Sequence, residues 1–250
     1  MLKAEGLTKS FGALEVTRQV SLEAPAGQRL AIIGPNGAGK TTLFNLLAGE
    51  LQPSAGRILL DSQDVTAMAP NRRARLGLAR SFQKNNLFFK LTVRENLLLA
   101  QLAKSGGARC FWRRLSRIAG PRHQAEAVAE QVGLTSALDR PVAALSYGAQ
   151  RQLEIGLALA TAPRVLLLDE PTSGMSPEET QRMLDLVRGL PRDLAVVIIE
   201  HDMDMVFGTA DRIVVLNYGQ VLLEGSPEEV RASPVVQETY LGGGGEALPC

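Results

Sequence analysis

A glycine-rich loop between an apolar run and a helix-forming run is the clearest chemical feature of this 250-residue sequence. Its residues are Gly34, Pro35, Asn36, Gly37, Ala38, Gly39, Lys40, Thr41 and Thr42. The glycines let the backbone curl so that its N–H groups converge, and the following helix adds the positive end of its dipole. Lys40 can reach the β- and γ-phosphates of a nucleotide, and the Thr41 hydroxyl can coordinate Mg²⁺. This Walker A pattern predicts that the chain binds a nucleoside triphosphate.

Two adjacent carboxylates, Asp169 and Glu170, end a second apolar run that begins at Val165. The run predicts a buried strand, and ligands of open α/β sheets bind at the carboxyl ends of the strands. Asp169 can hold Mg²⁺ through water, and Glu170 can orient or activate an attacking water molecule. An acidic strand end is ordinary by itself, so this interpretation depends on its pairing with the Walker A loop.

Composition sets limits on the class of protein. The formal net charge of +1 gives no global attraction to nucleic acid or to an acidic partner. Cys110 and Cys250 are far apart and lack metal-ligand spacing, which fits a reducing compartment. No signal-peptide pattern and no apolar run of about 18 residues occurs, so we expect a soluble, cytoplasmic protein.

The order of sequence patterns predicts an α/β core interrupted by a helical insert. Short apolar runs in residues 2–33, 57–60, 165–168, 195–199 and 212–216 predict strands, several of them in a parallel sheet covered on both faces. Helical periodicity dominates from about residue 70 to 160, with a capping box over Thr92–Glu95. We therefore assign residues 1–84 and 160–241 to the α/β core, 85–159 to a helical subdomain and 242–250 to a flexible tail.

A further motif, Leu145-Ser-Tyr-Gly-Ala-Gln150, resembles the signature of ABC transporter ATPases. With the Walker motifs in order, the whole chain resembles the nucleotide-binding subunit of those transporters. The resemblance implies a RecA-like P-loop NTPase core with a mainly parallel sheet, an N-terminal antiparallel β subdomain and an inserted helical subdomain. It also implies a homodimer, or a heterodimer with a second ABC ATPase, that sandwiches two ATP molecules.

The resemblance also implies roles for single residues. Gln83 matches the Q-loop, His201 matches the switch histidine, and Phe11 occupies the place of the aromatic residue that stacks on adenine. Ser146 and Gly148 would bind the γ-phosphate held by the partner subunit, as the N–H groups at a helix start can. The implied Mg²⁺ ligands are Thr41, Gln83 and Asp169. Each residue also has an ordinary structural interpretation when it is taken singly. Gln83 would be a surface residue, His201 a loop residue and Phe11 a core residue, and the Ser146–Gly148 run would be a helix cap.

Two positions depart from the family pattern. Ala149 stands where many signatures carry Gln or Glu, which removes one polar contact near the expected interface. Ser176 stands where much of the family has Asp. The run from Ser176 to Glu179 is itself a capping box with Pro177 at the first helical position, so Ser176 can meet the structural role of that Asp.

Finer resemblance narrows the cargo. The segments 79–83, 145–148, 199–203, 224–230 and 240–242 are similar to those of branched-chain amino acid importer ATPases. This implies integral-membrane permease subunits as partners, a substrate-binding protein as an indirect partner, no nucleic acid, and a peripheral location on the inner face of the cell membrane. The alternatives are a lipopolysaccharide-type exporter, an amide or urea importer, a soluble ABC ATPase of DNA repair or translation, and a scaffold with little hydrolysis.

A basic segment at residues 104–123 carries a separate hypothesis. Phe111, Trp112 and Leu115 fall on one helical face, whereas Arg113, Arg114 and Arg117 lie off it. Such a helix can lie on an anionic membrane surface. The alternative is that its apolar face packs on the helical insert while the arginines are solvated.

Overall fold

The computed structural model describes residues 1–81, 87–104 and 119–241. The strands there are β1 (Leu2–Phe11), β2 (Leu14–Ala24), β3 (Arg29–Ile33), β4 (Ala55–Leu60), β5 (Gln63–Asp64), β6 (Leu78–Arg80), β7 (Val165–Asp169), β8 (Ala195–Ile199), β9 (Arg212–Asn217) and β10 (Gln220–Gly225). The helices there are α1 (Lys40–Ala48), α2 (Pro70–Arg75), α3 (Val93–Lys104), α4 (Ala119–Gln131), α5 (Tyr147–Ala160), α6 (Pro177–Arg188), α7 (Met203–Thr209), α8 (Pro227–Ala232) and α9 (Pro234–Leu241).

The elements form two compact units. The first comprises the described parts of residues 1–80, 164–170 and 191–250, and the second those of residues 81–163 and 171–190. The sequence-based division placed all of residues 160–241 in the α/β core, whereas the structure groups residues 171–190, with α6, with the helical unit.

The first unit contains the predicted parallel sheet, with strand order β10-β9-β3-β8-β7-β6. The strands from β9 to β6 are parallel, and β10 is added antiparallel at the edge. Both faces are buried: Leu30 and Ile32 belong to one core cluster, and Ala31 and Ile33 to the other. This is why the central strands appear in the sequence as continuous apolar runs rather than alternating ones.

An antiparallel sheet with the order β2-β1-β4-β5 completes the first unit. Helix α1 shares one apolar core with both sheets: Leu43 and Phe44 of the helix cluster with Leu2 of β1 and Ile32 of β3. The opposite face of the parallel sheet is covered by residues of α7, α8 and α9. The N-terminal end of α1 is thereby held at a fixed place beside the sheet.

A buried arginine fixes the other end of α1. The Arg73 side chain, on α2, is 0% exposed, and its guanidinium donates to the carbonyls of Leu46 and Leu47 at 2.8 Å, of Thr66 at 2.9 Å and of Met68 at 3.0 Å. A cation is favourable at a helix C-terminus, where carbonyls lack partners within the helix. Burial nevertheless lowers the pKa of Arg73 to about 10. The four carbonyls therefore replace water as its hydrogen-bond partners.

The second unit is helical. Its α3 begins with the predicted capping box, in which the Thr92 N–H donates to Glu95 Oε2 at 2.8 Å and the Glu95 N–H donates to Thr92 Oγ1 at 3.2 Å. Helices α3, α4 and α5 pack closely at Gly156. A Cβ atom there would lie 3.3 Å from a methyl group of Leu97 and 3.4 Å from one of Val132.

Several predictions from the sequence concern residues that the structure does not describe. Residues 105–118, which contain Phe111, Trp112 and the three arginines named for the basic segment, lie outside the described residues, as do the tail at 242–250, Cys110 and Cys250. Across residues 1–81, 87–104 and 119–241, no helix combines the length and apolar character that crossing a bilayer requires.

Candidate nucleotide-binding and hydrolysis site

The carboxyl ends of neighbouring parallel strands bring most of the candidate residues to one edge of the sheet. The Walker A loop follows β3, His201 follows β8 after one residue, and Asp169 and Glu170 lie at the end of β7. These strands are adjacent in the order β3-β8-β7. Since ligands of such sheets bind at the carboxyl ends of the strands, this edge is the candidate site.

The Walker A loop needs glycine at its first residue, Gly34, and at Gly39, directly before α1, for steric reasons. Gly34 and Gly39 have φ of 154° and 97°. A Cβ atom at Gly34 would lie 2.2 Å from the Leu216 carbonyl oxygen, and one at Gly39 would lie 2.8 Å from the Val16 carbonyl oxygen. Only glycine therefore allows the loop to pass this close to its neighbours.

Lys40, the first residue of α1, folds back over this loop. Its Nζ donates to the carbonyl oxygens of Gly34 at 2.6 Å and Pro35 at 3.0 Å. Burial lowers the pKa of Lys40, and the charge of Glu170 partly opposes this effect. Phosphate oxygens form stronger, charge-assisted bonds to an ammonium group than neutral carbonyls do. A phosphate bound in this loop could therefore replace the two carbonyls as the hydrogen-bond partner of the Lys40 ammonium.

The Asp169 carboxylate is nearly enclosed, with its side chain 2% exposed. Burial raises its pKa, and the nearby Arg80, whose Nη2 lies 3.2 Å from Asp169 Oδ2, opposes that rise. Arg80 also donates to Asn45 Oδ1 at 2.8 Å and stacks over the Phe44 ring at 4.7 Å. Arg80 therefore links the Asp169 carboxylate to α1, a role that the sequence reasoning did not assign.

Glu170 and His201 face each other at 3.9 Å, measured from Glu170 Oε1 to His201 Nδ1. Glu170 has φ of 45°, a left-handed conformation that costs energy in a residue other than glycine. Its N–H donates to the Ile199 carbonyl at 2.9 Å, which holds that conformation. The side chains are 36% and 62% exposed, so both can meet solvent or substrate.

A buried glutamate that the sequence reasoning passed over, Glu200, fixes the backbone at His201. Its carboxylate accepts the N–H of His201 at 2.8 Å and that of Asp202 at 3.2 Å. The Asp202 side chain in turn caps α7 by accepting the Met205 N–H at 3.1 Å. The direction of the His201 side chain therefore depends on a hydrogen-bonded turn as well as on β8.

The signature residues begin α5 in the helical unit. Ser146 is the N-cap, and its hydroxyl oxygen accepts the Ala149 N–H at 3.3 Å. The same hydroxyl donates to Glu179 Oε1 at 3.0 Å, and the Gly148 N–H donates to that oxygen at 3.0 Å. Glu179 also closes the predicted capping box of α6 with Ser176. Its contact with the signature helix was not predicted.

Two candidate residues remain: Phe11, which the structure describes, and Gln83, which it does not. Phe11, the last residue of β1, is 49% exposed, and the Lys9 ammonium lies 5.1 Å from its ring centroid. Taken alone, the sequence also allowed Phe11 to be a core residue, but a side chain this exposed does not lie in the core. Gln83 lies outside the described residues, so its role stays a prediction.

The donor atoms at this edge fit Mg²⁺ when a nucleotide supplies the remaining ligands. Within the described ranges, no group of three or more His, Cys, Asp or Glu side chains is placed to hold a metal ion. Mg²⁺ is usually bound through one or two carboxylates together with substrate phosphates and water. The enclosed Asp169 and the exposed Thr41 at the start of α1 suit that mode.

Comparison with known proteins places these features in one family. The family model "ABC transporter" matches residues 17–173, and the model "Branched-chain amino acid ATP-binding cassette transporter" matches residues 220–246. The chain is 41% identical to the high-affinity branched-chain amino acid transport ATP-binding protein BraF of Pseudomonas aeruginosa, covering 97% of this chain and 98% of BraF. It is 40% identical to LivG of Escherichia coli K12, which carries the same description, with 97% and 98% coverage.

The fold agrees with a solved structure as well. The ADP conformation of MJ1267, an ATP-binding cassette of an ABC transporter, superposes with a TM-score of 0.86 at 30% identity over 97% of this chain and 98% of that one. Fold, loop geometry and sequence agree along nearly the whole length. The chain therefore belongs to the ABC transporter family, as one of its ATP-hydrolysing, nucleotide-binding subunits.

Proposed function

We propose that this chain powers an importer of branched-chain amino acids from the inner face of the cell membrane. Two observations favour this cargo: the match of residues 220–246 to a model specific to such transporters, and the descriptions of BraF and LivG. The cargo itself would be handled by other subunits, so the assignment rests on similarity rather than on chemistry at this site.

The Walker A loop would hold the phosphates of ATP. Its convergent N–H groups and the N-terminal end of α1 favour an anion. Lys40 would exchange its two carbonyl partners for β- and γ-phosphate oxygens. Phe11, which is exposed at the end of β1, would stack on the adenine.

Thr41, Asp169 and Gln83 would hold Mg²⁺ beside the phosphates. The ion neutralises charge that develops on the phosphoryl group in the transition state. The chain's own contribution is to place Asp169: Arg80 and the enclosing strands hold its carboxylate in a fixed orientation.

Hydrolysis would proceed by in-line attack of water, without a covalent phosphoenzyme. Glu170 would orient that water and accept its proton, and His201 would contact the γ-phosphate. The single observation that carries this assignment is the meeting of Glu170 and His201 at 3.9 Å on the sheet edge that also bears the Walker A loop. Lys40 and the N-terminal end of α1 would stabilise the phosphate charge there.

Transport would require two ATPase subunits, identical or sister, with each ATP held between the Walker A loop of one and the signature of the other. Ser146 and Gly148 would then donate to the γ-phosphate across the interface. Gln83 and the helical unit would relay closure to integral-membrane permease subunits. A substrate-binding protein would be an indirect partner, and nucleic acid would have no role.

Co-purification tests this proposal. We expect the chain, isolated from native membranes in mild detergent, to carry polytopic permease subunits and either a second copy or a sister ATPase. A lipopolysaccharide-export membrane protein, or an amide or urea permease, would replace the cargo assignment. Recovery of soluble proteins or nucleic acid alone would contradict the transport proposal and favour a soluble ABC ATPase.

A further inference from the structure

One carboxylate, that of Glu179, serves the N-terminal ends of two helices. At α6, Glu179 Oε2 accepts the Ser176 N–H at 3.3 Å as part of the capping box. At α5, Oε1 accepts both the Ser146 hydroxyl and the Gly148 N–H at 3.0 Å. All of these residues lie in the helical unit. The two signature donors are therefore satisfied by an anion from the same chain.

The space and charge around Gly148 suit this contact. A Cβ atom at Gly148 would lie 2.6 Å from both Cδ and Oε1 of Glu179, so the glycine lets the carboxylate lie against the backbone. The Ser146 hydroxyl, followed by the N–H groups of Gly148 and Ser176, holds the pKa of Glu179 below its ordinary value. At neutral pH the Glu179 carboxylate is therefore an anion that accepts hydrogen bonds from a hydroxyl and from an N–H group at the start of a helix. A phosphate oxygen can accept hydrogen bonds from the same two donors.

We infer that Glu179 is an internal occupant of the signature, which must leave Ser146 and Gly148 before the γ-phosphate of the partner subunit's ATP can bind them. This inference rests on the proposed role of the signature. Two anions cannot share these donors, because each needs the same hydrogen bonds and their charges repel. Glu179 therefore opposes closure of the ATP-bound dimer while it keeps the signature donors bonded in the separate subunit.

The chain supplies its own matched control. The tetrapeptide Ser-Pro-Glu-Glu, which begins at Ser176, recurs at Ser226 at the start of α8. There the Ser226 N–H donates to Glu229 Oε2 at 2.7 Å and the Glu229 N–H donates to Ser226 Oγ at 3.3 Å. Glutamine can also close such a box. Glu179→Gln and Glu229→Gln therefore make the same local change, but only the first removes an anion from the signature.

The experiment uses the full chain carrying Glu170→Gln, so that ATP is retained, and measures ATP-dependent self-association by sedimentation velocity. We expect Glu179→Gln to tighten association about 10-fold, the difference between a charge-assisted and a neutral hydrogen bond. Glu229→Gln should leave association within about 2-fold of the parent, since it touches only a surface helix start. Equal or weaker association with Glu179→Gln would overturn the inference.

Two further measurements separate this inference from the proposed function. If Ser146→Arg abolishes association but Glu179→Gln behaves as the parent does, the signature role stands and the inference about Glu179 is wrong. If Ser146→Arg associates as the parent does, both are wrong. If the parent does not self-associate, the same variants are compared by their ATP-dependent association with the sister ATPase that co-purifies with this chain. Without nucleotide, amide hydrogen exchange at Gly148 should be faster in Glu179→Gln than in Glu229→Gln. Equal exchange rates would refute the contact itself.

Discussion

Replacing Glu170 by glutamine should lower steady-state ATP turnover by about 10²-fold or more, as loss of a general base does. ATP should still bind, because the Walker A loop and Lys40 are unchanged. Glutamine keeps the size of the side chain but cannot accept a proton from the attacking water. The side chain lies 3.9 Å from His201 and leaves a left-handed backbone, which sets the direction of its Cα–Cβ bond toward the site. Phosphate release gives the turnover, and a fluorescent ATP analogue gives the affinity.

Glu50→Gln is a suitable control for this variant, since Glu50 is exposed and follows the C-terminal end of α1 rather than its nucleotide end. It should retain wild-type turnover. Near-normal hydrolysis by Glu170→Gln would refute the catalytic assignment. Loss of ATP binding would instead mean that Glu170 supports the nucleotide pocket.

Replacing Arg73 by methionine should lower the free energy of unfolding by about 3 kcal/mol or more. Four backbone carbonyls would lose a charged donor. The Leu46 carbonyl would keep the Gly49 N–H at 3.1 Å, and each buried acceptor left without a partner costs about 1–3 kcal/mol before relaxation. Two of those carbonyls, of Leu46 and Leu47, lie in the last turn of α1, whose first turn carries Lys40 and Thr41. The loss would therefore loosen the helix that presents the phosphate-binding residues.

Urea unfolding followed by circular dichroism measures this effect. The neighbouring residue provides the control: Arg72 is exposed, and Arg72→Met should change the free energy of unfolding by no more than about 0.5 kcal/mol. Arg73→Lys should fall between, because lysine keeps the charge but cannot reach four carbonyls with a planar group. Equal unfolding midpoints for Arg72→Met and Arg73→Met would show that the buried network contributes little.

The central strands could be predicted from the sequence because a strand that is buried on both faces has a continuous run of apolar residues. β3, β7, β8 and β9 each contain an uninterrupted apolar run. β6 was missed, since the three residues Leu78–Arg80 are too few to establish a period. β10 was missed as well, because its interior residues are half-buried at the sheet edge and show no clear alternation.

The candidate site divides in the same way. The Walker A loop and the capping boxes are encoded within a few residues, so their geometry could be expected. The contacts of Arg80 with Asp169 and of Glu179 with Ser146 join residues 89 and 33 positions apart. Only the folded chain places them together. The burial of Arg73 could not be predicted either, because the short polar run that holds Arg72, Arg73 and Arg75 does not distinguish one arginine from another.

The most direct test of the account is uptake by the complete transporter. The complex purified through this chain would be placed in lipid vesicles with its substrate-binding protein and supplied with ATP on the side that bears the ATPase. We predict ATP-dependent accumulation of leucine, isoleucine or valine, and its loss when the chain carries Glu170→Gln. Undiminished uptake with that variant, or no uptake of any of the three by the wild-type complex, would contradict the claim that this site powers branched-chain amino acid import.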